Sequence, residues 1–290
     1  QIMRLAAIDI GSNAVRLLIA DVSMRDGAQR TEKITLTRLP IRLGEDVFSA
    51  GVVSEEKVEK LVLVMQAFAH LMEALEVEHF KICATSAMRE AENADQIVER
   101  VQKKTGLLID VIDGKREAKL IFRNFGVSLL DPRRSYLYID VGGGSTELSW
   151  IQGAKRQHSK SFKVGAVRAL QGEVQDKVWD KIEAFLEMRP TGSIIAIGTG
   201  GNINRMARLA AAKRHVAISL SKLESVHANI ASHSYEQRLT LLGMKPDRAD
   251  VIVPAGEIYL RIMKMAGVDQ IIVPKVGLAD GMLLELSASI

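Results

Sequence analysis

Two short segments of this 290-residue chain carry the residue types that phosphate chemistry needs. Ile8-Asp9-Ile10-Gly11-Ser12-Asn13 and Ile139-Asp140-Val141-Gly142-Gly143-Gly144-Ser145-Thr146 each run an aliphatic strand through an aspartate into a turn of small residues. A glycine turn at a strand end lets backbone N–H groups approach an anion without interference from Cβ atoms. Gly11, Ser12 and Asn13 from one copy, and Gly142, Gly143, Gly144 and Ser145 from the other, could thus grip the oxygens of one phosphate. Asp9 and Asp140 stand beside them, where a phosphate-bound Mg²⁺ takes carboxylate or water-mediated ligands. A tight hairpin is the plain alternative for either turn. Three consecutive glycines are entropically costly for a mere turn, which favours binding at the second. Gly198-Thr199-Gly200-Gly201-Asn202 has the same duality and opens a helix over Ile203 to Arg214.

The elements that must position these turns alternate between strand and helix. Leu5 to Gly11 and Val15 to Val22 predict a hairpin with Asp9 near its tip. Ser54 is placed as an N-cap, and Val58, Leu61, Val62, Met65, Ala69 and Met72 recur at helical spacing behind it. A strand over Phe80 to Ala84, a helix over Ala94 to Lys104 stopped near Gly106 and a strand over Leu107 to Ile112 follow. Ser193 to Ile197 predicts another strand, and Ser221-x-x-Glu224 reads as a capping box. A helix over Asp250 to Met265, a strand over Gln270 to Val273 and a last helix from Leu278 complete an α/β pattern. The recurrence of the aspartate hairpin one domain length further on predicts a duplicated architecture whose two domains each present a loop to a shared cleft.

Composition narrows the chemistry. Hydrophobic residues make up 47% and charged residues 26%, enough to bury a full core. No apolar run approaches the ~18 residues of a membrane span, and Asp9 arrives too early for a secretory leader. The single cysteine, Cys83, excludes an internal disulfide framework and fits a reducing cytosol. Aromatics are only 4% and do not interleave with the basic residues, which argues against nucleic-acid stacking. Six scattered histidines form no zinc pattern, so any metal must use hard oxygen ligands. The net charge of +4 is compatible with an anionic substrate.

Other charged residues are ambiguous from type and spacing alone. Glu117 follows a strand at a helix start, where a carboxylate ordinarily complements the helix dipole. Arg89, beyond the strand ending at Ala84, reads as a surface arginine or as a phosphate clamp. Lys155, Arg156, Lys160, Lys163 and Arg168 read as a solvated basic face.

Several of these segments together resemble the exopolyphosphatase / guanosine pentaphosphate phosphohydrolase family of the actin-like, sugar-kinase and Hsp70 superfamily. The resemblance is carried by Ala7-Ile-Asp-Ile-Gly-Ser-Asn13, Ile41-Arg-Leu-Gly44, Ala84-Thr-Ser-Ala-Met-Arg89, the Gly114 to Ala118 segment and Ile139-Asp-Val-Gly-Gly-Gly-Ser-Thr-Glu-Leu148. It continues through Gly165-Ala-Val-Arg168, Gly198-Thr-Gly-Gly201 and Pro246-Asp-Arg-Ala-Asp-Val-Ile252, almost end to end. It implies two ribonuclease-H-like (actin-like ATPase) domains with an interdomain cleft. The first would span residues 1–121, completed by 277–290, and the second residues 122–276. The implied activity is hydrolysis of a terminal phosphoanhydride with Mg²⁺ or another divalent cation as cofactor. Inorganic polyphosphate or guanosine pentaphosphate is the implied substrate, in a cytoplasmic protein that engages neither nucleic acid nor membrane and for which a homodimer is the expected assembly.

By matching position, the resemblance makes Glu117 the residue that orients or deprotonates the attacking water. Asp140 and Glu147, with Asp9, would hold the metal. Gly11 to Asn13 and Gly142 to Ser145 would cradle phosphates, and Arg89 would anchor the anionic chain. Three departures stand out. Arg116 replaces a usual glutamate, Ala14 a usual serine and Asn202 a common threonine. An ATP-dependent kinase and a non-catalytic polyphosphate or alarmone sensor are the competing classes.

Overall fold

The computed structural model describes residues 2–25, 28–125, 130–213 and 216–290. The chain divides into two compact units, Gln1–Asn124 with Gly277–Ile290, and Phe125–Val276. The first unit opens with β1 (Ile2–Ile10), β2 (Val15–Arg25) and β3 (Ala28–Leu39), continues through α1 (Leu43–Ala50) and α2 (Glu55–Ala74), and then forms β4 (His79–Ala84). It goes on with α3 (Ser86–Glu90), α4 (Ala94–Thr105), β5 (Asp110–Val111) and α5 (Gly114–Phe122). Its sheet has the order β3-β2-β1-β4-β5, with β1, β4 and β5 parallel and β2 and β3 antiparallel. Leu5, Ala6, Ala7, Ile8 and Ile10 are all buried, as expected of a central strand covered on both faces.

The second unit repeats the plan. It begins with β6 (Ser135–Val141), β7 (Thr146–Gln152) and β8 (Lys155–Phe162), then α6 (Ala166–Leu170), α7 (Lys177–Leu186), β9 (Ile194–Thr199) and α8 (Gly201–Leu209). β10 (Ile218–Ser219), α9 (Leu220–Ser232), α10 (Tyr235–Thr240), α11 (Pro246–Ala249), α12 (Ile252–Ala266) and β11 (Gln270–Ile272) follow. The sheet order β8-β7-β6-β9-β11, with β10 added at the edge, matches the first sheet strand for strand. The final helix, α13 (Leu278–Ser287), belongs to the first unit, where it packs on β1 and α5.

Several local expectations are revised. β3 is a twelve-residue strand that its run of charges, Arg30, Glu32 and Lys33, concealed. It lies at the sheet edge, where such charges protect an unpaired strand. The strand expected over Leu107 to Ile112 shortens to β5, two residues that pair with Cys83 and Ala84. Helix α9 starts two residues earlier than the Ser221 capping box predicts: Ser219 is the cap, and its hydroxyl accepts from Lys222 N at 3.2 Å. Ser54 occupies the N-cap of α2 with no side-chain cap bond. Its own N–H is held by Asp46 Oδ2 at 2.9 Å. The helix expected over Ile203 to Arg214 runs from Gly201 to Leu209, and Arg214 lies outside the described residues.

Candidate active site

In the first unit, the parallel register aligns Asp9 with Cys83, and Cys83 with Asp110. The loops that follow β1, β4 and β5 therefore leave the same edge of the sheet, the carboxyl edge where ligands of parallel α/β sheets bind. The loop after β1 is the Gly11–Ala14 turn, closed by Gly11 N to Ala14 O at 3.1 Å. Ser12 O accepts from Gly44 N at 2.8 Å and Asn13 O from Arg42 N at 3.1 Å. Gly44 is needed for this approach, because a Cβ there would stand 2.9 Å from Ser12 Cβ. Ala14, where a serine is usual, is buried and so packs where a hydroxyl would need a partner.

The loops after β4 and β5 bring Arg89 and Glu117 together. Arg89 Nη1 donates to Ile112 O at 2.7 Å and lies 3.5 Å from Glu117 Oε2. Glu117 stands in the first turn of α5, whose N-cap Asp113 accepts from Arg116 N at 2.7 Å. The glutamate side chain is 12% exposed, a buried setting for a carboxylate whose only task is to complement a dipole. Arg116 does not act as a cation beside Glu117. Its guanidinium reaches Glu285 of α13 at 2.5 Å, alongside Lys81 at 2.8 Å. Burial alone would raise the Glu285 carboxyl, but Lys81, Arg116 and Arg123 together hold it below the usual glutamate range.

In the second unit the Gly142–Ser145 turn is built in the same way. Gly142 N donates to Ser145 O at 2.9 Å. Gly142 O accepts from Ala166 N at 2.9 Å, and Gly143 O from Val167 N and Arg168 N at 2.8 and 3.1 Å. Arg168 Nε donates to Gly144 O at 3.0 Å. Lys155, Lys160 and Lys163 are exposed as a solvated face requires, but Arg168 is buried, because the hairpin carbonyl consumes its donor. Gly165 plays the part of Gly44: a Cβ there would lie 2.5 Å from Gly143 C and O.

In a trans peptide the N–H points opposite to the preceding carbonyl. With the carbonyls of Gly142, Gly143 and Gly144 drawn into protein donors, the N–H groups of Gly143, Gly144 and Ser145 face the other way. The Ser12 and Asn13 carbonyls do the same for the N–H groups of Asn13 and Ala14. Both turns therefore present donors outward, the polarity that an anion requires.

The carboxylates divide differently. Asp9 is paired by Arg16 Nη1 at 2.6 Å, directly across the hairpin. In the second unit the residue across from Asp140 is Glu147. Glu147 is 2% exposed, and its Oε1 accepts from Ser145 Oγ at 2.7 Å and Ser161 Oγ at 2.8 Å. Asp140 is only partly buried, and its Oδ2 accepts from Tyr138 O–H at 3.0 Å. Two adjacent hard-oxygen groups, one of them reachable from solvent, fit a cation such as Mg²⁺, which keeps several waters and uses one or two carboxylates. Among the described residues no three His, Cys, Asp or Glu side chains cluster as a complete metal cage.

Sequence reasoning overlooked Tyr138, Tyr259, Ser161 and the buried role of Arg168, and it singled out Thr199 only as part of the Gly198–Asn202 turn. Only Tyr138 carried a signal, since two residues before Asp140 on a strand is the same face. Cys83, next to Asp9 in the register, is buried, and burial pushes its thiol up to about 12, so it is no nucleophile. Among the described residues no helix is long and apolar enough to cross a membrane.

Comparison with known proteins identifies the family. The sequence profile of the Ppx/GppA phosphatase family matches residues 22–289. Exopolyphosphatase 1 of Mycobacterium tuberculosis is 27% identical over 98% of this chain and 88% of its own length. The guanosine-5'-triphosphate,3'-diphosphate pyrophosphatase of Aliivibrio fischeri is 26% identical over 97% of this chain and 59% of its own. The crystal structure of the Aquifex aeolicus member of the Ppx/GppA family superposes with a TM-score of 0.77 at 27% identity, covering 100% of this chain and 99% of that one. Two duplicated α/β units of actin-like, ribonuclease-H-like order, and a profile that spans nearly the whole sequence, show that this chain is a phosphoanhydride hydrolase and belongs to the Ppx/GppA phosphatase family.

Proposed function

We propose that this chain releases terminal orthophosphate from inorganic polyphosphate by in-line attack of water. The observation that carries the proposal is the pair of hairpin turns in which the carbonyls of Ser12 and Asn13, and of Gly142, Gly143 and Gly144, are drawn into the protein, each turn beside an aspartate. The M. tuberculosis relative named exopolyphosphatase supports the substrate. Phosphoryl transfer asks little covalent chemistry of a protein and much positioning and charge stabilisation.

Roles follow unit by unit. In the second unit the N–H groups of Gly143, Gly144 and Ser145 hold phosphate oxygens. Asp140 and Glu147 would hold Mg²⁺ or another divalent cation, directly or through water, and when bound it neutralises charge on the phosphate oxygens. In the first unit the Gly11–Asn13 turn offers the matching donors through the N–H groups of Asn13 and Ala14, while Gly11 N closes the turn. Glu117 orients the water and accepts its proton as the new P–O bond forms and the bridging P–O bond breaks; the terminal group is released as orthophosphate and the shortened polyphosphate leaves with the bridging oxygen. Arg89, 3.5 Å from Glu117, holds that carboxylate in place and offers its charge to the anionic chain. Asp9, already paired with Arg16, contributes less to the metal than Asp140 does. A protein working in this way needs neither nucleic acid nor membrane as partner.

A second reading, guanosine pentaphosphate as substrate, is favoured by the A. fischeri relative, named as a pyrophosphatase of that alarmone. One assay separates them: orthophosphate release from long-chain polyphosphate, guanosine pentaphosphate and ATP, with and without Mg²⁺, by wild type and Glu117→Gln. The expected result is Mg²⁺-dependent release from polyphosphate that falls ~10²–10⁴-fold in the variant. Release from the alarmone alone would move the substrate. Binding without release would make the protein a sensor, and transfer to an added alcohol would make it a kinase.

A further inference from the structure

Asp140, next to last in β6, is partly exposed, and a short carboxylate in that position has several open rotamers. One group that holds it comes from its own strand. Tyr138 is on the same strand face, and its hydroxyl lies 3.0 Å from Asp140 Oδ2 and 2.8 Å from Thr199 Oγ1. An ionised carboxylate only accepts hydrogen bonds. The Tyr138 proton therefore goes to Asp140, and the Thr199 hydroxyl must donate to the Tyr138 oxygen. The direction of every bond in the chain Thr199, Tyr138, Asp140 is thereby set. Thr199 is wholly buried, and β6 and β9 place it directly beside Asp140 in the parallel register.

A second tyrosine locks the same corner. Tyr259 of α12 accepts from Val141 N at 3.1 Å and donates to Thr199 O, tying the end of β6 to the end of β9. Gly200, at φ 109°, makes room on the other side. Any Cβ there would stand 3.1 Å from Asp140 Oδ1. Both phenols are buried.

We infer that Tyr138 is a positioning residue: through its hydroxyl, with Thr199 behind it, it fixes the Asp140 carboxylate in the orientation that receives the divalent cation. This rests on the proposed role of Asp140. Groups that orient a metal-binding carboxylate typically contribute ~10–100-fold to metal affinity or activity.

The test uses the intact chain. Wild type, Tyr138→Phe, Thr199→Val and Asp140→Asn are titrated with MgCl₂ by calorimetry, and the Mg²⁺ concentration giving half-maximal phosphate release is measured alongside. Tyr138→Phe keeps the ring that packs beside Phe125 and deletes only the hydroxyl. It should weaken both Mg²⁺ readouts by ~10–100-fold while leaving KM for polyphosphate at saturating Mg²⁺ within about threefold. Thr199→Val, which removes the donor behind Tyr138, should shift them the same way by less, and it decides the matter if Tyr138→Phe does not fold. A Tyr138→Phe protein that melts lower yet binds Mg²⁺ like wild type would overturn the inference and leave Tyr138 a packing residue. Asp140→Asn separates the levels. If it loses Mg²⁺ while Tyr138→Phe does not, only the inference fails. If it binds Mg²⁺ like wild type, the metal role of Asp140 falls, and the inference with it.

Discussion

The two hairpins of this chain share a backbone and differ in charge. Each closes with a backbone bond from the turn's first glycine to its fourth residue, and each presses its tip against a glycine at the start of a short helix, Gly44 in the first turn of α1 or Gly165 at the N-cap of α6. Across from the aspartate, however, the first hairpin carries Arg16 and the second Glu147. The first tip is charge-balanced within the protein. The second sets two carboxylates across from each other, and hydroxyls from Tyr138, Ser145 and Ser161 donate to them. Adjacent carboxylates repel by Coulomb's law, and a divalent cation between them would relieve that repulsion, which is why the proposed metal role falls on this hairpin. The two turns thus share their backbone, and on the proposed reading one cross-strand residue, Arg16 or Glu147, decides which of them also takes a metal.

The largest expected effect breaks that asymmetry on the acidic side. Glu147→Gln should weaken calorimetric Mg²⁺ binding by at least the ~10–100-fold typical of supporting groups. Arg16→Met, which unpairs Asp9, should leave Mg²⁺ binding within about twofold. Equal losses from both variants would erase the distinction between the hairpins.

Steric probes come next. Gly165→Ala drives a methyl into the Gly143 backbone, which cannot yield. It should cost ~1–3 kcal/mol in chemical denaturation. In Gly44→Ala the tightest contact, 2.6 Å, is with the Phe48 ring, which can turn aside, so its cost should be lower. A reversed order would show that the two tips are not held alike.

Much of this was legible before any coordinates. The aspartate-glycine turns announce themselves as aliphatic strands running into small residues, and their repetition implies the matched sheets. The register that sets Arg16 against Asp9, and Glu147 against Asp140, follows once each turn is closed over four residues. What was not legible comes from distant segments. Tyr259 arrives from α12, Ser161 from the third strand of its sheet, and Glu285 from the final helix, and periodicity within a segment cannot report any of them. β3 was hidden because an edge strand tolerates the charges that disguise it. Arg116, conspicuous as a departure beside Glu117, is occupied by Glu285.

That ion cluster yields the smallest predicted effect, within the first unit. Because the Glu285 carboxyl is lower folded than unfolded, the unfolded chain binds the extra proton on acidification. Its stabilisation is therefore complete above the ordinary glutamate value of 4.5 and fades as pH falls through the lower folded value. Glu285→Gln should flatten the acid side of a melting-temperature profile and lower the plateau near neutrality. An unchanged acid slope would remove Glu285 from the account.

The most direct test compares the two aspartates side by side, titrating Asp9→Asn and Asp140→Asn with MgCl₂ and assaying polyphosphate hydrolysis at saturating Mg²⁺. Asp140→Asn should lose Mg²⁺ binding and hydrolysis together, whereas Asp9→Asn keeps Mg²⁺ affinity near wild type. Loss of Mg²⁺ binding in Asp9→Asn with retention in Asp140→Asn would contradict the assignment of the metal to the second hairpin.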